Sequence, residues 1–112
     1  MGLIAVLLTI TLAALAVLSA VRAAHVARSA ADLSALAGAT QLQEAFDPAA
    51  ACAEADRVAA MHEVRVLACD VGEAGDVTVT VSARVPLRLG GVGPDHAEGR
   101  ARAGPAPDPG QQ

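Results

Sequence analysis

The sequence predicts an α+β fold: a long N-terminal helix, a second short helix, and a small antiparallel β-hairpin or three-stranded sheet. Three observations predict this order. Residues 3–21 are apolar and carry no charge, and residues 22–46 are rich in alanine and contain no proline. From Val64 onward, the spacing of apolar residues changes from the helical period to the period of two that is typical of strands.

The composition predicts a thin core. A chain of 112 residues allows one small domain beyond the apolar segment. Phe46 is its only aromatic residue, and the alanine, valine and leucine side chains that remain bury little area each. A covalent staple would therefore help such a domain to fold. The net charge of −4 argues against a nucleic-acid partner, because such proteins present a basic face.

The run from Leu3 to Val21 has nineteen residues and no charged side chain. As a helix it is ~29 Å long, about the thickness of one hydrocarbon core. Its polar residues are Thr9, Thr11 and Ser19, whose hydroxyls we expect to bond to carbonyls of the helix itself. We therefore predict a transmembrane anchor over residues 1–21, with membrane lipid as its partner.

Two other interpretations of this run stay open. It could be the buried helix of a soluble protein, although so short a chain seldom builds a core around so long an apolar helix. It could also be a cleaved signal peptide, which normally has a basic start and a small-x-small cleavage site after a shorter apolar stretch. Met1-Gly2 carries no side-chain charge, and the small-x-small match at Ala14 to Ala16 lies inside the run.

Two signals disagree about orientation. Arg22 and Arg28 follow the apolar run, so the positive-inside rule places the rest of the chain in the cytoplasm. Cys52 and Cys69 instead favour an oxidising compartment, in which an even number of cysteines is expected to pair. We expect a single-pass protein of the cell membrane with its C-terminal head outside the cytoplasm. A short charged segment upstream of Met1 would reconcile the two signals.

Residues 22–46 continue the helix as an Ala-rich extension. Val26, Leu33, Leu36 and Thr40 lie near one face at helical spacing. Small residues dominate the middle of the extension, and small residues let a second helix approach closely. The alternative is that an Ala-rich helix is simply a good helix, whatever it touches.

The predicted helix-packing residues recur at three- and four-residue spacing and form one stripe, namely Ala30, Leu33, Ala37 and Thr40. If a partner helix packs on this stripe, added bulk there should be poorly tolerated. Ser34, which lies off this stripe, should tolerate bulk better.

Asp47-Pro48 predicts the end of the long helix and the start of a second one, with Asp47 as N-cap and Pro48 at the first helical position. This second helix is predicted over Pro48–Glu63 and opens a small head over residues 47–103. Its predicted inner residues are Cys52, Ala55, Val58 (or Ala59) and His62.

The remainder of the head is predicted to form strands. A first strand is predicted from Val64 to about Asp70, followed by turn residues over 72–76. Residues 77–85 alternate valine or alanine with Thr, Ser and Arg, which predicts the second strand of a hairpin. Gly90 to Pro94 is predicted to form a loop. A third, edge strand is predicted over Ala97–Ala103, and Gly104 to Gln112 is predicted to be disordered.

The two cysteines are the main chemical feature. An antiparallel return of the first strand along the second helix could bring Cys52 and Cys69 within the ~5.5–6 Å between Cα atoms that a disulfide needs. With His62 they could instead hold a metal, but their spacing matches no zinc pattern and a fourth ligand is not evident. Free or intermolecular thiols are the third alternative. No motif supports an enzyme, a cofactor or a small-molecule substrate.

The order of these features resembles the TadE-like family, including the actinobacterial helicase/secretion-neighbourhood TadE-like proteins. The resemblance begins with the apolar helix, which continues into the Ala/Asp/Leu stretch at Ala27 to Ala39. The features that follow in order are Asp47-Pro48 before Cys52, then Cys69, the Val/Thr strand, and Arg-Ala-Arg-Ala-Gly-Pro at 100–105. Met1-Gly2 departs from the family pattern, which has polar residues before the apolar run.

The resemblance implies a pseudopilin-like minor component of a Tad/Flp-type pilus or secretion apparatus. Its partners would be pilin-type or Tad apparatus proteins, bound through a pilin-like helix, with no enzymatic activity. The alternative is a secreted or membrane-anchored binding module outside the cytoplasm that has no pilus role.

Overall fold

The computed structural model describes residues 1–87, 91 and 93–105. The elements follow the order α1 (Gly2–Ala45), α2 (Pro48–Met61), β1 (Arg65–Val71), β2 (Val77–Arg84) and β3 (His96–Ala103). The predicted α+β class is confirmed, and the sheet has three antiparallel strands in the order β1-β2-β3. The predicted loop at Gly90 to Pro94 lies partly, and the predicted tail at 104–112 mostly, outside the described residues.

Helix α1 runs the length of the molecule. Its 44 residues span ~66 Å at 1.5 Å per residue, and the longest dimension of the structure is 65 Å. The predicted boundary between anchor and extension at residue 21 is not marked by any break in the helix. The helix ends at Phe46, which adopts a left-handed conformation with φ 54° and donates its N–H to the Leu42 carbonyl oxygen at 2.8 Å.

Asp47 and Pro48 start α2 as predicted. The Asp47 backbone is extended, its Oδ1 accepts a hydrogen bond from the Ala49 N–H at 3.0 Å, and Pro48 occupies the first turn. Because Glu63 has a φ of 58°, the helix cannot continue to the predicted end at that residue and stops at Met61.

The buried face of α2 consists of Ala51, Ala55 and Ala59. Ala59, rather than Val58, therefore fills the third predicted inner position. The inward prediction for His62 is wrong: its side chain is exposed, and Nδ1 lies 2.9 Å from the Val58 carbonyl oxygen at the end of the helix. The helix has ended before this residue can turn toward the core.

Strand β2 is the centre of the sheet and contributes its largest buried side chains. Val77, Val79 and Val81 are fully buried and Ala83 nearly so, while the alternate residues are more exposed. The predicted alternation is confirmed. Strand β3 pairs along β2 from Val77 opposite Ala103 to Arg84 opposite His96, so it forms the edge strand that the sequence predicted.

The core joins all layers of the head. It combines the alanines of α1 between Ala27 and Ala39, the alanines of α2 and the valines of β2. The largest fully buried side chains are valines and Ser34. The Ala-rich extension is therefore one wall of the head, and it packs with α2 and the sheet around a shared core.

Candidate helix-packing surface

The inner face of α1 packs against the protein's own head. Its buried residues are Ala23, Ala27, Ala30, Ala31, Ser34, Ala35, Gly38 and Ala39. A Cβ atom on Gly38 would lie 3.1 Å from the Ala51 carbonyl oxygen and 3.2 Å from Val77 Cγ1. The small residues of this face thus bring α1 close to both α2 and β2.

Strand β3 also approaches α1 closely. A Cβ atom on Gly99 would lie only 2.4 Å from the Ala27 carbonyl carbon and 2.6 Å from the Arg28 nitrogen. The backbones of β3 and α1 are in contact here, and no residue other than glycine fits at position 99 without displacing the strand or the helix.

The opposite face of α1 remains exposed and carries apolar residues. Val26, Leu33 and Leu36 are 40%, 45% and 58% exposed. With Thr40, which is also exposed, they fall within ~80° around the axis at 100° per residue. We call Val26, Leu33, Leu36, Ala37 and Thr40 the outer face.

The four predicted helix-packing residues divide between these two faces. Ala30 is fully buried within the chain and offers no surface to a partner. Leu33 and Thr40 are exposed, and Ala37 is half-buried at the margin. Only three of the four residues are therefore available for contact with another molecule.

The expectation that Ser34 would tolerate bulk better than Ala37 does not fit the structure. Ser34 is fully buried in the middle of the inner face, whereas Ala37 is only half-buried. Ser34 is the less tolerant of the two positions, because the head covers the side of the helix on which Ser34 lies.

A shallow groove between α1 and α2 borders the outer face. It is lined by Leu33, Leu36, Ala37 and Thr40 on α1 and by Val58 and His62 on α2, with Gln41, Glu44 and Glu54 completing it. The lining of the groove is thus partly apolar and includes two carboxylates, Glu44 and Glu54.

One of these carboxylates is paired within α2. Arg57 Nε donates to Glu54 Oε2 at 3.0 Å. The hydrogen bonds and charge of the guanidinium hold the pKa of the Glu54 carboxyl below its ordinary value. Glu54 therefore stays ionised and, being paired, adds little net charge to the groove.

Cys52 on α2 and Cys69 on β1 are joined by a disulfide, with their Cα atoms 5.9 Å apart. The bond ties the second helix to the edge strand on the side of the head away from β3. It lies outside the outer face, so its role is to hold the head together. Among the described residues, no three His, Cys, Asp or Glu side chains gather as metal ligands.

The N-terminal part of α1 is bare. It contains an 18-residue window that is apolar enough to cross a membrane and has no buried residue. Within it, the Thr9 and Thr11 hydroxyls donate to the carbonyl oxygens of Ala5 and Leu7 at 2.8 and 2.9 Å, as predicted. Ser19 differs, because its Oγ accepts a hydrogen bond from the Leu87 N–H at 3.1 Å.

Comparison of the chain with protein-family models, with curated proteins and with solved structures finds no match. The interpretation of this surface therefore rests on its own geometry and on the sequence features described above.

Sequence reasoning did not include Val58 and His62 in the packing surface. Both come from α2, and each was expected on the inner side of that helix. No local signal in the sequence identifies them, because the groove exists only where two helices meet.

Proposed function

We propose that this protein is a non-enzymatic, single-pass membrane component whose helix α1 packs against helices of other membrane proteins. One observation supports this most directly: α1 is a continuous 44-residue helix that is bare over its apolar first part and covered on one side only over the rest. A soluble protein would bury that first part.

The outer face continues the exposed apolar surface of the proposed anchor. Leu15 and Leu18, at 46% and 63% exposure, lie on the same side of the helix as Leu33 and Leu36, at the helical angle of 100° per residue. A partner helix that contacts α1 in the bilayer can therefore follow the same face beyond it. Packing of this kind needs only small or apolar residues at three- and four-residue spacing.

The partners we propose are pilin-type or Tad apparatus proteins in the assembly of a Tad/Flp-type pilus or secretion system. Support for this part comes from the resemblance to TadE-like proteins in the stretch Ala27–Ala39 and in the order of the features after it. The long helix with a small head on one side is compatible with that interpretation, since such an assembly element needs one helix face free.

We further propose that the head lies outside the cytoplasm. A disulfide between Cys52 and Cys69 is stable in an oxidising compartment and is seldom kept in the cytosol. Arg22 and Arg28 oppose this orientation by the positive-inside rule, so topology needs a direct measurement.

The test compares two exposed leucines of the same chain. A photo-crosslinking residue replaces either Leu36, on the outer face, or Leu67, on β1, which are 58% and 50% exposed. We expect adducts with small single-helix membrane proteins from Leu36 and few or none from Leu67, after alkali extraction has left the chain in the membrane pellet.

Equal adducts from both positions would contradict packing through the outer face. Release of the chain by alkali would contradict the anchor and favour a cleaved or secreted binding module. Adducts from Leu36 with proteins unrelated to pilin assembly would retain helix packing and reject the pilus role.

A further inference from the structure

The head approaches the proposed membrane anchor at one place. The Val85 N–H donates to the Asp95 carbonyl oxygen at 2.8 Å, which closes the end of the β2–β3 connection. Two residues later, the Leu87 N–H donates to Ser19 Oγ at 3.1 Å. The first bond holds Val85 within the head, and the second joins Leu87 to α1.

The position of Ser19 along α1 sets the depth of this contact. The uncharged run extends to Val21, and Arg22 follows it. About 20 apolar residues are needed to cross a bilayer, so the hydrocarbon boundary must lie close to Val21. Ser19 is then ~3 Å inside that boundary at 1.5 Å per residue.

The side chains around this contact are those of a membrane interface. Leu87 is 45% exposed and Pro86 is exposed, while Val85 above them is buried. At the same height on α1, but on other sides of the helix than Ser19, Leu18 and Val21 are 63% and 48% exposed. A bilayer that begins at this height would bury the apolar side chains on all sides of the helix.

Basic residues lie just beyond this contact, on the side away from the hydrocarbon core. Arg22 is exposed and lies ~4.5 Å beyond Ser19 along the axis. Arg84, also exposed, is three residues before Leu87, at most ~10 Å away along an extended chain. The headgroup layer is ~5–7 Å thick on each side of the hydrocarbon, so guanidinium groups at this height can contact lipid phosphates.

We propose that Pro86 and Leu87 form a lipid-contacting seat by which the head rests on the bilayer, with Leu87 at the headgroup end of the acyl chains and the arginines among the phosphates. The proposal rests on the membrane anchor proposed above. Packing of the inner face of α1 against the head fixes the rotation of the head about α1, and the bond to Ser19 holds Leu87 at the end of the head that faces the bilayer. The outer face then points away from the seated head and stays open to a partner helix.

The chain contains no tryptophan or tyrosine, so a single introduced tryptophan reports its own surroundings. Three full-length variants are reconstituted into vesicles of phosphatidylcholine and phosphatidylglycerol that contain brominated lipids. Leu12→Trp is the reference inside the span, and Leu87→Trp is the test. Phe46→Trp is the control, because Phe46 is 83% exposed and lies ~40 Å from Ser19 along α1.

We expect bromines near the headgroup end of the acyl chains to lower Leu87→Trp emission at least twofold and to leave Phe46→Trp emission unchanged. Quenching of Leu12→Trp but not of Leu87→Trp would overturn the seat and leave the anchor intact. Absence of quenching in Leu12→Trp as well would overturn both. If Leu87→Trp lowers the resistance of the head to proteolysis, Pro86→Trp at the neighbouring exposed position takes its place, with the same outcomes.

Discussion

Ser34 shows how closely the inner face of α1 is matched to the head. Its side chain is fully buried, and its Oγ has no hydrogen-bond partner among the described residues. A buried hydroxyl without a partner costs free energy, because it loses its bonds to water. Ser34 lies on the buried face of α1 whose alanines pack with β2 valines and α2 alanines, so a larger side chain would overpack the site.

Replacing Ser34 with alanine should therefore stabilise the head. We expect the free energy of unfolding to rise by ~0.5–1 kcal/mol, from removal of the unpaired hydroxyl and from the higher helix propensity of alanine. Ser34→Leu should lower it by ~1–3 kcal/mol through overpacking. Pulse proteolysis of the detergent-solubilised chain in urea measures both changes. A less stable Ser34→Ala would show that the hydroxyl has a partner in solution.

Gly99 lies where the backbone of β3 meets the backbone of α1. A Cβ atom there would overlap the α1 backbone at Ala27, so Gly99→Ala should lower the free energy of unfolding by at least ~2 kcal/mol. The control is Arg100→Ala on the same strand, whose exposed side chain predicts a change within ~0.5 kcal/mol. Equal stability of the two variants in pulse proteolysis would mean that β3 is not held against α1.

Among the elements, α2 and β1 depend most on a covalent link. Strand β1 is an edge strand, and most of its residues are exposed or half-buried. Its register against β2 shifts between Val66 and Ala68, which leaves fewer regular ladder bonds. The disulfide from Cys69 to Cys52 supplies an attachment that packing of such small side chains provides only weakly.

Loss of the disulfide should remove a large part of the stability of the head. The bond closes a loop with a sequence separation of 17, for which the chain-entropy model gives ~3 kcal/mol. We expect the paired variant Cys52→Ala with Cys69→Ala to unfold at lower urea by that amount. Reductant should destabilise the native chain equally and leave the variant unchanged. Native protein whose intact mass after alkylation shows two free thiols would refute the bridge.

At the scale of the whole molecule, the core of the head, the proposed anchor and the outer face share one helix. Because α1 has no break between its bare part and its covered part, the orientation of the anchor fixes where the head stands. The disulfide favours the oxidising side, and Arg22 with Arg28 favours the cytoplasm.

We expect the head to lie on the oxidising side of the membrane, as the disulfide indicates. A C-terminal fusion to a reporter enzyme that works only outside the cytoplasm should be active, and a fusion to a reporter that works only in the cytoplasm should be silent. Both fusions are compared at equal expression in the same membrane fraction. The reverse pattern would place the head inside and would leave the cysteines reduced in the cell.

The sequence determined the elements and their order, because the signals for them are local. The uncharged run over 3–21 allows a long helix, Asp47-Pro48 supplies both a helix end and a cap, and alternation over 77–85 specifies a strand with one buried face. Each of these depends on residues that are neighbours in the chain. The predicted reach of β1 toward the second helix also placed Cys52 and Cys69 on the two elements that the disulfide joins.

Only the tertiary structure decided which side of the Ala-rich helix is inside. Alanine and serine occupy nearly every side of α1 between residues 27 and 39, so the sequence carries almost no difference in hydrophobicity around the axis. Shape decides which side of α1 is buried, because Gly38 leaves room for α2 and Val77, and Gly99 leaves room for the backbone of α1. As a result, Ala30 and Ser34 are buried, and Leu33 and Leu36 are exposed. Two backbones can pack closely only where the side chains between them are small, and only the assembled fold shows where such positions lie opposite one another.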